Sequence, residues 1–331
     1  MKVGLVGILQ NPSIRMSSHN AGWTHVYLSM LNIKYGQVDV LNDNSNWNDY
    51  DKLYINEGVN FKQGVWNLFG GVSDKLINKL KQLNNYKGKL CFWGDFTPNY
   101  DELINKRKID KSKLGSTYNI PNKYIKVLSS LNHSDKLVLG DSHTISVYEK
   151  EYDIKRMDGK TMFGLISEGI KKHVQSHHKT LRLYIGNIDV RHHICRMYNE
   201  NERMSECNLL ISKLETQLKE LQRDNITIQV VELLPIENVN RKIPKTGYYN
   251  NQPYWGSWKE RNEVRTYLNA NLYSMCLRLR AEFLRWSNIK NENDELDFKY
   301  MEAKQSVHLA PSAYMFNFIN KEKSTPTLSL F

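Results

Sequence analysis

Short apolar runs bounded by glycine, asparagine and aspartate alternate along this chain with stretches of helical periodicity. That alternation constrains the fold more than any other feature. Val3-Gly4-Leu5-Val6-Gly7-Ile8, Val38-Asp39-Val40-Leu41, Lys52-Leu53-Tyr54-Ile55 and Lys89-Leu90-Cys91-Phe92-Trp93 read as strands in the first third. Between the last two, Ser73 can cap a helix that puts Leu76, Ile77, Leu80 and Leu83 on one face. Strands separated by helices cannot be joined as hairpins, so the expectation is an α/β layer of Rossmann-like character.

From about Asn99 to Lys136 the pattern weakens into a polar, basic stretch that contains Lys106-Arg107-Lys108 and Pro121. It reads as a connector or an exposed subdomain. Strand-like runs resume at Lys136 to Gly140, Leu181 to Ile185 and Ile226 to Leu234. Leu210, Leu214, Leu218 and Leu221 form the apolar stripe of one intervening helix, and a longer helix is expected to carry Val264, Leu268, Leu272, Cys276, Leu279, Phe283 and Trp286. Both stripes read as core faces. The expected division is a Rossmann-like domain over 1–98, a basic connector over 99–135, a second α/β domain over 136–322 and a flexible tail over 323–331.

The second domain opens on a block with chemical potential. Leu137-Val138-Leu139 ends in Gly140-Asp141-Ser142-His143, which delivers a serine where a strand turns into a loop. A rigid strand fixes such a hydroxyl while the turn leaves it accessible, as an activated nucleophile requires. Next comes Asp158-Gly159-Lys160-Thr161-Met162-Phe163-Gly164-Leu165, whose glycines either let backbone N–H groups approach an oxyanion or serve turn and helix packing. Then follows Gly186-Asn187-Ile188-Asp189-Val190-Arg191-His192-His193, where a Gly-Asn pair at a strand end offers a backbone and a side-chain donor. Last, in Gln305-Ser306-Val307-His308-Leu309, a late histidine can return to Ser142 as general base.

These four segments, in this order and on this topology, resemble the SGNH (GDSL-type) hydrolase superfamily over roughly residues 135 to 320. The resemblance is to a branch whose blocks read Gly-Asp-Ser-His, Gly-x-Thr-x-x-Gly-Leu and Gly-x-Ile-Asp-x-Arg-x-His. It implies a three-layer α/β/α domain on a parallel sheet and a serine esterase or acyl-transfer activity. Ser142 would be the nucleophile, His308 the base, and Gly159, Asn187 and the Ser142 amide the oxyanion donors. Asp141, His143, Arg191, His193, Tyr254 and Trp255 are the candidate substrate-binding residues, and no cofactor is implied. The family pattern departs at one place: the aspartate usually found three residues before the base is Gln305. A neutral amide orients an imidazole without stabilising imidazolium as a carboxylate does. Three outcomes stand: a Ser142–His308 dyad, a substitute acid such as Asp189 or Glu302, or a fold retained for binding.

Other residues carry two readings each. Arg191, oriented by His193, can clamp a phosphate or carboxylate, or can pair internally with Asp189. His173, His177, His178, His192, His193 and Cys195 could assemble a metal site, although no compact ligand motif closes the set. The loop from Pro12 to Trp23 can hold a phosphate or sugar through Arg15, Ser17, Ser18 and His19, or can send Trp23 into the core. The aromatic stretch from Tyr248 to Trp258, with Tyr254 and Trp255 within it, is a recognition loop or a buried cluster.

Asn48-Asp49-Tyr50-Asp51-Lys52-Leu53 and Asn60-Phe61 resemble the N-terminal half of bacteriophage DNA β-glucosyltransferases over about residues 1 to 95. In those enzymes this half contributes to DNA binding. With 46 Lys and Arg against 35 Asp and Glu, the chain carries +11, which suits an anionic partner. The expected partners are an acylated sugar or another anionic small molecule, with DNA as a further candidate. No apolar stretch approaches the ~20 residues that cross a bilayer, the N-terminus does not read as a signal peptide, and four scattered cysteines fit reduced thiols. No membrane partner is expected, and the expected location is the cytoplasm, that of the host if the gene is a phage's.

Overall fold

The computed structural model describes residues 1–7, 17–41, 45–56, 73–93, 104–105, 108–115, 124–127, 134–197, 199–236, 254–287, 289–293, 295–301 and 307–316. They belong to two compact units, Met1–Asn132 and His133–Phe331.

The first unit contains β1 (Val3–Val6), α1 (Ser17–Tyr35), β2 (Asp39–Leu41), β3 (Lys52–Asn56), α2 (Ser73–Asn85), β4 (Lys89–Trp93) and β5 (Tyr124–Val127). Its five strands are all parallel, in the order β2-β1-β3-β4-β5. The chain steps one way from β1 to β2 and the other way from β3 to β5. Right-handed crossovers therefore set α1 and α2 on opposite faces. Leu53, Ile55, Leu80, Leu83 and Leu90 form the core between the sheet and α2.

The stretch read as a connector is part of this unit. Ile104 and Leu114 are buried in its core, the Asn84 amide donates to the Leu114 carbonyl at 3.2 Å, and β5 pairs with β4. An edge strand needs only main-chain pairing on one side, so a polar sequence hid it. The loop expected after β1 is likewise helical from Ser17 onward, while residues 12–16 lie outside the described residues.

The second unit contains β6 (Lys136–Gly140), β7 (Asp153–Arg156), α3 (Met162–Glu168), β8 (Thr180–Tyr184), α4 (Asn187–His192), α5 (Glu200–Arg223), β9 (Thr227–Val231), α6 (Trp258–Leu279) and β10 (Glu282–Leu284). Its sheet is again parallel, ordered β10-β9-β8-β6-β7. The crossovers from β7 to β8, β8 to β9 and β9 to β10 all step in the same direction. Right-handedness then puts α3, α5 and α6 on one face. Leu137, Leu139, Leu181, Leu183, Ile228 and Val230 meet the Leu210, Leu214, Leu218 and Leu221 stripe of α5 and the Val264, Leu268, Leu272 and Cys276 stripe of α6 there.

The alternate residues face a different layer. Arg182 donates to the Val147 carbonyl and to the Glu149 and Tyr152 oxygens, and its guanidinium lies 4.2 Å from the Phe316 ring centroid. The Met315 N–H donates to the Ser146 carbonyl at 2.8 Å. A 3-10 turn at Thr144–Val147 and the C-terminal segment thus close this side of the sheet. Each long helix is capped from the sequence: Asn199 accepts the Glu202 amide, and Ser257 with Glu260 forms a capping box. The helix expected to reach Trp286 stops at Leu279, where Arg280 turns left-handed at φ 52° and Phe283 enters β10. A non-glycine cap left no stop signal to read.

Candidate active site

In the second unit the chain leaves β6 toward one edge and β8 toward the other. The crevice at the carboxyl ends of these two neighbours is the topological switch point, where sheets of this order bind ligands. The block Gly140-Asp141-Ser142-His143 leaves β6 there, and Gly186-Asn187 leaves β8 there. Gly140 is required by close approach: a Cβ would sit 1.8 Å from the Tyr184 carbonyl oxygen. Gly186, at φ 126°, makes the turn from which Asn187 starts α4.

Ser142 and His308 meet in this crevice. The Ser142 Oγ lies 2.9 Å from His308 Nε2, across 166 positions of sequence, so the hydroxyl can donate to the imidazole lone pair. The carbonyl of Ser142 accepts from Arg156 Nε at 2.9 Å, and Arg156 in turn pairs with Asp158 at 2.8 Å. The nucleophile loop is therefore tied to the end of β7.

Asn187 is fully buried, and its amide orientation follows from its neighbours. The Leu234 N–H donates to the Tyr184 hydroxyl at 3.2 Å, and that hydroxyl donates to Asn187 Oδ1 at 2.8 Å. Nδ2 is left as the donor group, and among the described residues it has no hydrogen-bond partner. A buried amide donor without a partner costs about 1–3 kcal/mol, which a bound acceptor would recover. Gly159 sits exposed at φ 71° in the turn between β7 and α3, with open space where a Cβ would be. Its glycine identity answers to the turn.

Asp189, one half-turn beyond Asn187, accepts the Met162 N–H at 2.6 Å and the Phe163 N–H at 3.3 Å. It fastens the start of α3 to α4. Burial pushes its carboxyl up to about 7, against the amides that favour the charged form. The expected internal pair with Arg191 does not form; the Asp189 oxygens accept these amides instead. Nor does Asp189 hydrogen-bond His308 as a substitute acid; Glu302 and Gln305 lie outside the described residues.

Several candidates for substrate contact are scaffold instead. Asp141 and His143 are buried and bonded to each other, with His143 Nδ1 2.9 Å from Asp141 Oδ1. Tyr254 is buried between His192, at 5.8 Å between ring centroids, and the Arg261 guanidinium, 4.8 Å from its ring. Trp255 packs half-buried against the helix-side core, and its main-chain N–H donates to the Arg191 carbonyl at 3.0 Å. Residues 237–253 lie outside the described residues; in the described part, packing against His192, Arg261 and the core claimed these rings. Arg191 is itself buried within α4. His193 follows α4, and burial together with Arg196 holds its imidazole below the usual range.

Of the histidines weighed as metal ligands, His177 and His178 gather with Asp153. His178 Nδ1 accepts the Gln175 N–H at 3.0 Å, which leaves the proton on Nε2 to donate to Asp153 Oδ2 at 3.1 Å. That tautomer has no lone pair facing the carboxylate, so the trio is a hydrogen-bonded clasp between β7 and the start of β8. Arg156 and Tyr184 are the functional neighbours that sequence reasoning missed. Neither carries a motif; each acts through a main-chain or amide group brought to it by the sheet.

No protein-family model and no curated protein sequence matches the chain. Among solved structures the chain is similar to a GDSL-like lipase from Bacteroides thetaiotaomicron, at 14% identity over 54% of this chain and 82% of that one, with a TM-score of 0.40. It is similar to the psychrotrophic esterase EstA from a Pseudoalteromonas species, inhibited by monoethylphosphonate, at 13% identity over 55% and 92%, with a TM-score of 0.34. An extracellular lipase from Streptomyces rimosus gives 13% identity over 56% and 97%, with a TM-score of 0.29.

Proposed function

We propose that the second unit is a serine esterase or acyl-transfer enzyme of the SGNH type. The observation that carries this reading is the 2.9 Å contact between Ser142 Oγ and His308 Nε2 at the switch point of the sheet. Ser142 attacks an ester carbonyl while its proton passes to His308 Nε2. The tetrahedral oxyanion takes hydrogen bonds from the Asn187 amide, the Ser142 N–H and the Gly159 N–H. His308 then gives the proton to the departing alkoxide, and an acyl-serine remains. Water or an acceptor hydroxyl attacks that ester by the reverse path, and Ser142 recovers its proton.

The reaction requires no cofactor. An acylated carbohydrate or a modified nucleic acid is the substrate class, and the net charge of +11 favours the latter. A fluorophosphonate probe tests the reading: the wild type should become phosphonylated on Ser142, and both Ser142→Ala and His308→Ala should escape. A folded wild type that neither takes the probe nor hydrolyses p-nitrophenyl acetate would leave the unit as a binding domain.

A further inference from the structure

We propose that Asp141 and His143 are positioning residues for the base, acting on His308 through the carbonyl of Val307. The proposal rests on the esterase reading for its kinetic consequence and on the hydrogen bonds for its geometry. His143 is 2% exposed and spans two segments that are distant in sequence: its Nε2 lies 2.8 Å from the Val307 oxygen, and its Nδ1 lies 2.9 Å from Asp141 Oδ1. A carbonyl oxygen only accepts, so Nε2 carries a proton. Asp141 Oδ1 also accepts the main-chain N–H of His143 at 2.8 Å, which locks the carboxylate against the ring from two directions.

The covalent arrangement gives this tie its meaning. Ser142 lies between Asp141 and His143, and Val307 immediately precedes His308. One buried imidazole therefore joins the backbone that carries the nucleophile to the backbone that carries the base. The His143 and His308 rings also pack at 4.8 Å between centroids, so the position of one ring limits the other. Residue 305 is glutamine, so that position carries no carboxylate. In the described site the buried carboxylate is instead beside the nucleophile, and it reaches the base segment through a second histidine.

His143→Phe and His143→Gln, each made in the wild type and in His308→Ala, test this. His143→Phe keeps ring volume and loses both bonds, whereas the glutamine amide can still donate to the Val307 carbonyl. A base displaced by an ångström costs about 100-fold, so His143→Phe should lower kcat and the rate of Ser142 phosphonylation by about that factor, with KM within about twofold. His143→Gln should recover most of the loss. In His308→Ala, His143→Phe should add nothing, because a residue that acts through the base has no effect once the base is gone. Equal losses in both backgrounds, or a folded His143→Phe within about threefold of wild type, would overturn the proposal. If His143→Phe does not fold, Asp141→Asn carries the same test, since it leaves the ring without a carboxylate partner.

Failure of the esterase reading is separable. If the wild type shows neither hydrolysis nor phosphonylation, carbethoxylation of His308, read by mass spectrometry, decides the positioning claim alone. Faster modification in His143→Phe than in wild type supports it, and equal rates refute it.

Discussion

Removing the Asn187 amide should separate catalysis from binding more cleanly than any other single change. Asn187→Ala deletes a buried side-chain donor at the switch point, with Nδ2 freed for an oxyanion because Tyr184 holds Oδ1. Loss of one such donor lowers kcat by about 10²–10³, or about 2.7–4 kcal/mol of transition-state stabilisation, and leaves KM nearly unchanged. The same change leaves the Tyr184 hydroxyl without its acceptor in a buried place, at a stability cost of about 1–3 kcal/mol. Asn187→Asp provides the control. It keeps the acceptor for Tyr184 and loses the amide donor while burying a carboxylate, so it should be a poorer catalyst than Asn187→Ala and no more stable. The assay is p-nitrophenyl acetate hydrolysis at saturating and limiting substrate, with thermal melts of the same samples. Activity of Asn187→Ala within threefold of wild type, in a folded protein, refutes the assignment of Asn187 to the oxyanion.

Gly140→Ala should abolish the second unit's fold, a loss above about 4 kcal/mol, because its Cβ would lie 1.8 Å from the Tyr184 carbonyl oxygen; soluble yield and near-ultraviolet dichroism check this. Asp189, raised to about 7 by burial, keeps a proton in the folded protein that an unfolded carboxylate releases near pH 4. Its contribution is therefore complete below about pH 4 and declines as pH rises to about 7, by up to about 4 kcal/mol, and Asp189→Asn should flatten that part of the melting-temperature profile. Glu215 has the opposite sign. Hydrogen bonds from Arg278 and then Lys219 hold it at about 2, so its contribution is present above about pH 4.5 and lost as pH falls through 2. Because both partners are half exposed, Glu215→Gln should cost only about 1–2 kcal/mol at pH 7, measured by denaturant titration.

Much of the fold was legible because its determinants are local. The β6, β8 and β9 runs and the leucine stripe of α5 lie where the periodicities of two and 3.6 put them, since burying one face of an element demands that spacing. Ser142, Asn187 and His308 were likewise marked by residue type and chain order. Edge strand β5 and the end of α6 were not, because pairing at a sheet edge and a left-handed Arg280 leave no periodic trace. The roles of the polar residues divided in the same way. Asp141 and His143 looked like substrate contacts beside a nucleophile, and Tyr254 and Trp255 like a recognition surface, until burial took the first three into the interior and packed Trp255 against the core.

By itself, then, the chain's sequence determined an α/β architecture and a short set of chemical groups at strand ends. Only the tertiary structure decided that Ser142 meets His308, that Tyr184 holds Asn187 Oδ1 and leaves Nδ2 as the free donor, and that His143 ties the two halves of the site together. The physical reason is separation along the chain: hydrophobic periodicity acts over a few residues, whereas a hydrogen bond across 166 positions exists only once the sheet has set its strand order.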